Sequence, residues 1–463
     1  MNEVEIIGLA GMFALIAMLM LRTPIALAMI LVGIGGNFVL SLALPYMRFE
    51  AYILQFKTLL WSNVASYELS VIPLFILMGF LANYTGLSKS LFEGMNAFFS
   101  RVKGGIAMTG VLACAGFGAV CGSSLATAST MSRIALPELK KLKYNDRLAT
   151  GSLAAGGTLG ILLPPSIPLV LYAIIVETSI VDMFQAAIIP GIIAIVFFVF
   201  VILVQVKLNP SLAPNTRSTT TQEKLQALVS LIPIVVIFGS IILGLGFGLF
   251  TPTPAAGVGV FLIFCYGLLM KYKGKSENAL TMQKLKDSIF QTATTSGMIY
   301  FILFGSEVLK TFFTRSNLPF ALAEFATNLS FNPWVILVLM LIIFIILGCV
   351  MDSMSMLLVI IPFFWPTMVA LNGGDYVGVS GAAFGLDNDS LKIWFGIVAL
   401  AVVELGLITP PVGLNVFVIA TVAKDVPMSE IFKGVMPFFS IELVRILLML
   451  LFPALVLFLP SWL

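Results

Sequence analysis

The chain has 463 residues, of which 60% are hydrophobic, 10% are charged and none is histidine, with a formal net charge of +3 and a mean hydropathy of +1.09. A soluble fold needs charged surface to keep its apolar patches apart, so this composition excludes a soluble enzyme and implies an integral membrane protein. The missing imidazole counts against haem ligation, zinc chemistry and a Ser-His-Asp triad.

The first apolar run, residues 6–21, follows Glu3 and Glu5 and precedes Arg22 and Pro24. A signal peptide carries its positive charge ahead of the apolar region, so this run is expected to be a retained transmembrane helix with its basic end in the cytoplasm. A second run, 25–44, returns the chain to the far side. Residues 49–67, with Lys57 and Trp61 on a moderately apolar stretch, are expected to lie along the interface.

Further spans are expected near 69–88, 150–176, 186–206, 226–246, 252–270, 292–313, 393–422 and 437–459, each at or near the ~20 residues that cross a bilayer as a helix. Lys140, Lys141, Lys143 and Arg147 mark one cytoplasmic connection; Lys271, Lys273, Lys275, Lys284 and Lys286 mark another. The polar linker NPSLAPNTRSTTTQEK, flanked by Lys207 and containing Arg217 and Lys224, separates two halves. The stretch 371–390 carries Asp375, Asp387 and Asp389 with no basic residue, so it is expected to face outward.

Two apolar stretches do not read as single crossings. Residues 104–136 begin after Arg101 and Lys103 and end before Lys140, so both ends belong in the cytoplasm. Residues 333–370 begin and end outside. Each is expected to be a re-entrant helical hairpin, and each precedes a crossing interrupted by a double proline, at GILLPPSIPL (Gly160 onward) and GLITPPVGLN (Gly406 onward). Proline removes an amide donor and leaves carbonyls unpaired where no water can reach them; these carbonyls suit a sodium ion, and the exposed helix N-termini suit a carboxylate or sulfonate. A proline pair alone is also explained as a kink. Two in matching positions of an inverted repeat point to a secondary transporter.

Several residues are ambiguous from sequence. The first hairpin carries Gly122, Ser123, Ser124, Thr127, Ser129 and Thr130, which serve either as oxygen ligands or as small packing residues. Asp352 and Glu404 are acids in apolar tracts, expected to be functional or structurally paired with unidentified partners. Glu307 with Lys310, and Glu442 with Arg445, have the spacing of helical ion pairs. Cys114, Cys121, Cys265 and Cys349 lack CxxC spacing and read as packing residues. Gly274, Lys275 and Ser276 do not form a P-loop, because Leu269 stands where its first glycine belongs.

These residues resemble the large, M-type membrane subunit of tripartite ATP-independent periplasmic (TRAP) transporters. The resemblance covers nearly the whole chain from Arg22-Thr23-Pro24-Ile25, and its most specific portions are GSSLATAST, ALPELKKLKYNDRLATGSLAAGGTLGILLPPSIPLVLYAIIVETSI and VELGLITPPVGLNVFV. It implies an all-α polytopic membrane protein with inverted repeats, an elevator-type importer of a small organic anion driven by sodium ions, with no organic cofactor. It also implies a small four-helix Q-type membrane subunit and a soluble periplasmic substrate-binding P-type protein as partners, in the bacterial inner membrane, with no nucleic acid.

On this resemblance the chain divides into N-terminal scaffold helices and arm at 1–100, a first inverted repeat at 101–206, a linker with scaffold helices at 207–291 and a second inverted repeat at 292–463. Sodium site 1 is implied at Cys121, Ser124, Gly160, Leu163 and Pro165. Sodium site 2 is implied at Gly348, Gly406, Thr409 and Val412. Substrate is implied near Ser123, Thr127, Pro165, Asp352 and Asn415. The 371–390 loop either contacts the periplasmic partner or is an inert insertion. The alternatives are a stand-alone sodium-coupled dicarboxylate-type symporter of related fold and, from another class, a membrane subunit of a redox or ion-pumping enzyme.

Overall fold

In a bilayer every backbone polar group must be satisfied inside the protein, and among the described residues this is met by twenty α-helices with no strand. The computed structural model describes residues 2–21, 23–44, 46–64, 66–216, 219–273, 278–328, 331–374 and 377–462. Arg22, Arg217, Gly274, Lys275, Ser276 and Asp375, named above, lie outside these residues, as does the side chain of Lys57.

Among the described residues, eight helices are long and apolar enough to cross a membrane. They are α1 (Glu3–Met20), α2 (Ile25–Ala43), α10 (Ile180–Leu208), α11 (Thr221–Gly246), α12 (Pro252–Tyr272), α13 (Met282–Arg315), α16 (Ser353–Asn372) and α19 (Met428–Leu451). Two bent pairs pass the same test. One is α4 (Val71–Tyr84) with α5 (Leu87–Phe99), bent by 63° at Gly86; the other is α8 (Asp146–Leu162) with α9 (Ile167–Ile175), bent by 46° at the first proline pair. The remaining helices are α3 (Phe49–Val64), α6 (Gly105–Cys121), α7 (Ser124–Lys141), α14 (Leu318–Asn328), α15 (Pro333–Gly348), α17 (Asn388–Gly406), α18 (Leu414–Val422) and α20 (Ala454–Trp462).

Four details differ from the sequence expectation. The span near 437–459 is two helices, because Pro453 brings no amide to continue α19. The span near 69–88 turns into α5 at Gly86, whose φ of +73° is open to glycine. Helix α14 was not anticipated. Glu307 and Lys310 form no ion pair among the described residues; Lys310 faces a cavity instead.

Polar contacts join segments distant in the chain. At the α7–α8 connection Asn145 N–H donates to the Leu212 carbonyl at 2.9 Å and Asn215 donates to the Leu142 carbonyl at 3.1 Å, joining two segments expected in the cytoplasm. At the opposite end Tyr172 donates to the Lys392 carbonyl at 2.8 Å, joining the end of α9 to the start of α17. The arm α3 is held where Arg315, at the end of α13, lies over the Tyr52 ring at 5.7 Å and donates to Asn37 at 2.7 Å.

Helix α8 packs between α6, α7 and α19, while α17 packs on α15 and α19. Elsewhere α13 packs on α2 and α4, and α12 on α4 and α11. Ion pairs Lys140–Asp425 and Arg147–Glu430 tie the α7–α8 connection to the α18–α19 connection. The two halves of the chain are therefore interleaved.

Candidate functional site

The first hairpin turns at Gly122, whose φ of +61° relieves a strained left-handed position, and Ser123 caps α7 by accepting from the Ala126 N–H at 3.4 Å. Its tip rests on the first helix break, since a Cβ on Gly122 would lie 3.3 Å from the Ile167 nitrogen. Behind the tip, the backbones of Gly118 and Gly160 touch: a Cβ on Gly160 would lie 3.0 Å from the Gly118 Cα.

The second hairpin repeats this plan. Its tip joins α15 to α16, with Asp352 as the N-cap: its carboxylate accepts from the Ser355 N–H at 3.2 Å and the Ser355 hydroxyl at 2.5 Å. Asp352 thus has a local partner that the sequence reading did not identify, although an aspartate opening an apolar helix is itself a cap signal. Behind this tip Gly348 meets Gly406, with the Gly348 Cα 2.8 Å from a Cβ placed on Gly406. Cys349 donates to the Pro410 carbonyl at 3.3 Å, linking the tip to the second break.

Both proline pairs, Pro164–Pro165 and Pro410–Pro411, are joined by cis peptides. Prolines at 164 and 165 offer no amide to the carbonyls of Gly160 and Ile161, and those at 410 and 411 offer none to Gly406 and Leu407. In the second break these carbonyls accept from the Thr409 and Asn415 amides, both at 3.0 Å. Among the described residues the buried oxygens of Thr127 and Ser166, beside the first break, and of Asn415, after the second, have no hydrogen-bond partner. Neutral oxygens of this kind are what a hard monovalent cation takes, so the first break fits sodium through these neighbours, whereas the carbonyls of Gly406 and Leu407 at the second are already paired.

A cavity of about 460 Å³ brings the two tips together. Cys121, Ser123 and Ser124 enter it from one hairpin, Asp352 and Ser353 from the other, and Phe80 of α4 and Thr295 of α13 close the opposite wall. Thr127, Pro165 and Asn415 lie off this cavity: Thr127 and Asn415 are fully buried, with Asn415 donating to the Ala154 carbonyl at 3.3 Å, and Pro165 lines a separate apolar pocket. Of the residues implied for the second sodium site, Gly348 and Gly406 touch, Thr409 bonds the Gly406 carbonyl through its amide, and Val412 is exposed. Of those implied for the first, Cys121 and Ser124 are at the tip, and Gly160, Leu163 and Pro165 are at the break beneath it. A larger cavity, about 710 Å³, lies between α13, α14 and α16 near Val377 and Asp387 and contains neither tip.

Between the tips stands Glu404, 1% exposed on α17. The Ser124 hydroxyl donates to one carboxylate oxygen and the Ser353 hydroxyl donates to the other, at 2.7 Å for the latter. Glu404 was recognisable in sequence as a buried acid; its pairing with Ser353 was not, since the three residues come from three distant segments.

Comparison with known proteins gives a consistent picture. The family model described as "Tripartite ATP-independent periplasmic transporter, DctM component" matches residues 12–455. The chain is 30% identical over 406 residues to the C4-dicarboxylate TRAP transporter large permease protein DctM of Pseudomonas aeruginosa, covering 87% of this chain and 88% of that protein. It is 28% identical over 401 residues to the sialic acid TRAP transporter large permease protein SiaM of Vibrio cholerae, covering 86% and 87%. Among solved structures, the Alcanivorax borkumensis YdaH transporter superposes with a TM-score of 0.58 over 88% of this chain and 89% of that one, at 14% identity, a likeness of fold alone.

Proposed function

The chain belongs to the DctM-component family of tripartite ATP-independent periplasmic transporters, as a large permease subunit, and on that premise we propose that it imports a small organic anion across the bacterial inner membrane by sodium-coupled secondary transport. The observation that carries this reading is the convergence of both hairpin tips on one cavity walled by α4 and α13. The first turn of α7, Ser124 to Ala126, lines that cavity, so the positive dipole end of α7 faces an incoming carboxylate or sulfonate. The relatives named for C4-dicarboxylate and for sialic acid both point to a carboxylate substrate.

Sodium ions held by oxygens at the two breaks would order the tips around the anion. Each sodium charge moving down ~100 mV contributes ~2.3 kcal/mol before its concentration gradient is counted. The same cavity supports an elevator reading, in which tips and breaks form one body, α4 and α13 belong to the scaffold it slides against, and α6–α7 and α15–α16 act as re-entrant hairpins. A small four-helix membrane subunit and a periplasmic substrate-binding protein complete the system.

Uptake by the reconstituted three-part system is expected to require a sodium gradient and to survive ATP depletion. Full uptake without sodium, under a proton gradient alone, overturns this reading; uptake without any binding protein favours a stand-alone symporter.

A further inference from the structure

Two serines at the ends of separate hairpins converge on one carboxylate, and we propose that Glu404 is a positioning residue that couples the two tips, so that order in one is transmitted to the other. The inference rests on the transporter reading for its purpose, though not for its geometry.

A lone acid at membrane depth is costly, so its polar partners matter. Here both partners are hydroxyls at the first residues of α7 and α16, the points where each hairpin turns back. Among the described residues no hydrogen bond or ion pair runs directly from one tip to the other. The polar connection between them passes through Glu404. Its own helix is a firm mount, because residues 393–406 are buried throughout.

The two tips depend on this link unequally. The second is also held to α17 by the backbone contact of Gly348 with Gly406. The first has no such hold on α17; its corresponding glycine contact, Gly118 with Gly160, is with α8, and besides Ser124 its tip leans on Ile167 and on Gly79 of α4, whose added Cβ would lie 3.0 Å from the Cys121 Cα. Releasing Glu404 therefore removes the polar hold of the first tip on α17, and Cys121, which lines the cavity there, reports it.

The test is the rate of Cys121 alkylation by N-ethylmaleimide in the membrane-embedded complex, read by peptide mass spectrometry, with Cys265 of α12 as internal control. Ser353→Ala changes only the second hairpin, yet it is expected to speed labelling of Cys121 in the first by about fivefold, on the scale of losing one hydrogen bond. Glu404→Leu is expected to do at least as much, and Ser353→Ala added to it to do nothing further. Glu404→Gln keeps one acceptor and one donor for the two hydroxyls, so its rate is expected to stay within about threefold of the wild type.

An unchanged Cys121 rate in Ser353→Ala overturns the proposal, as do multiplying effects in the double variant or a parallel rise at Cys265. Repeating the wild-type measurement with and without sodium separates the two readings. No protection by sodium would count against sodium coupling while the Ser353→Ala effect still upheld the link.

Discussion

Gly348 and Gly406 meet backbone to backbone: a Cβ added to Gly406 would lie 2.8 Å from the Gly348 Cα and 2.9 Å from its carbonyl carbon. The first half of the chain makes the same contact between Gly118 and Gly160. In each case a hairpin arm approaches the helix that ends at a proline pair, and only glycine on both sides permits it. Gly406→Ala must push backbone aside and is expected to destabilise by about 1–3 kcal/mol, as overpacking does. Gly348→Ala meets its nearest atoms at 3.1 and 3.2 Å and is expected to cost less. Thermal unfolding of the purified protein checks the order; equal tolerance of both would count against a rigid contact.

Thr409 lies in the second break, where its hydroxyl donates to the Leu405 carbonyl at 2.6 Å. The donated proton leaves the oxygen lone pairs available to a cation. Thr409→Ala removes that oxygen without touching the hairpin contact, so the sodium concentration for half-maximal uptake is expected to rise by roughly tenfold, on the scale of one interaction with a charged group. An unchanged sodium dependence would remove Thr409 from the second site.

How far the sequence led can be judged from these same residues. The helix breaks were legible because proline pairs leave marks that depend on local chemistry alone, and the turn at Gly122 because glycine does the same. Glu442 with Arg445 was legible because their spacing is a single helical turn. The Ser124–Glu404–Ser353 link was not, since nothing in a linear pattern says which hydroxyls meet a carboxylate from three segments. Glu307 with Lys310 shows the converse: helical spacing permits a pair, but Lys310 lines the larger cavity instead. The bend at Gly86 was hidden because an apolar run does not reveal where it changes direction.

Lys140 pairs with Asp425 on the side expected to face the cytoplasm, and this contact holds the Asp425 carboxyl below its usual range, chiefly through the hydrogen bond from Lys140. A folded pKa below the unfolded value of about 3.9 means that the stabilisation is complete above that value and is lost only as pH falls through the folded pKa. Between pH 5 and 8 the Asp425 carboxylate stays ionised. Asp425→Asn is therefore expected to leave the shape of the uptake profile unchanged across that window, while making thermal stability less sensitive to salt. A profile that shifted within pH 5–8 in this variant would contradict the assignment.

Glu442 and Arg445 are 3% and 1% exposed on α19, with Arg445 donating to the Glu442 carboxylate at 2.6 Å and to the Pro190 carbonyl at 3.3 Å. One oxygen of Glu442 and one nitrogen of Arg445 remain unpartnered. A buried pair with unsatisfied atoms recovers little of the desolvation cost of its charges, yet removing one partner strands the other. Arg445→Leu alone is expected to destabilise by about 3–5 kcal/mol. Glu442→Leu combined with Arg445→Leu is expected to recover most of that loss, because no stranded charge remains and leucine suits the surroundings. Melting of the two single variants and the double variant in one detergent decides the matter. A double variant as unstable as the worse single one would show that the pair holds α19 to α10 through its bonds, and that its value is more than mutual neutralisation.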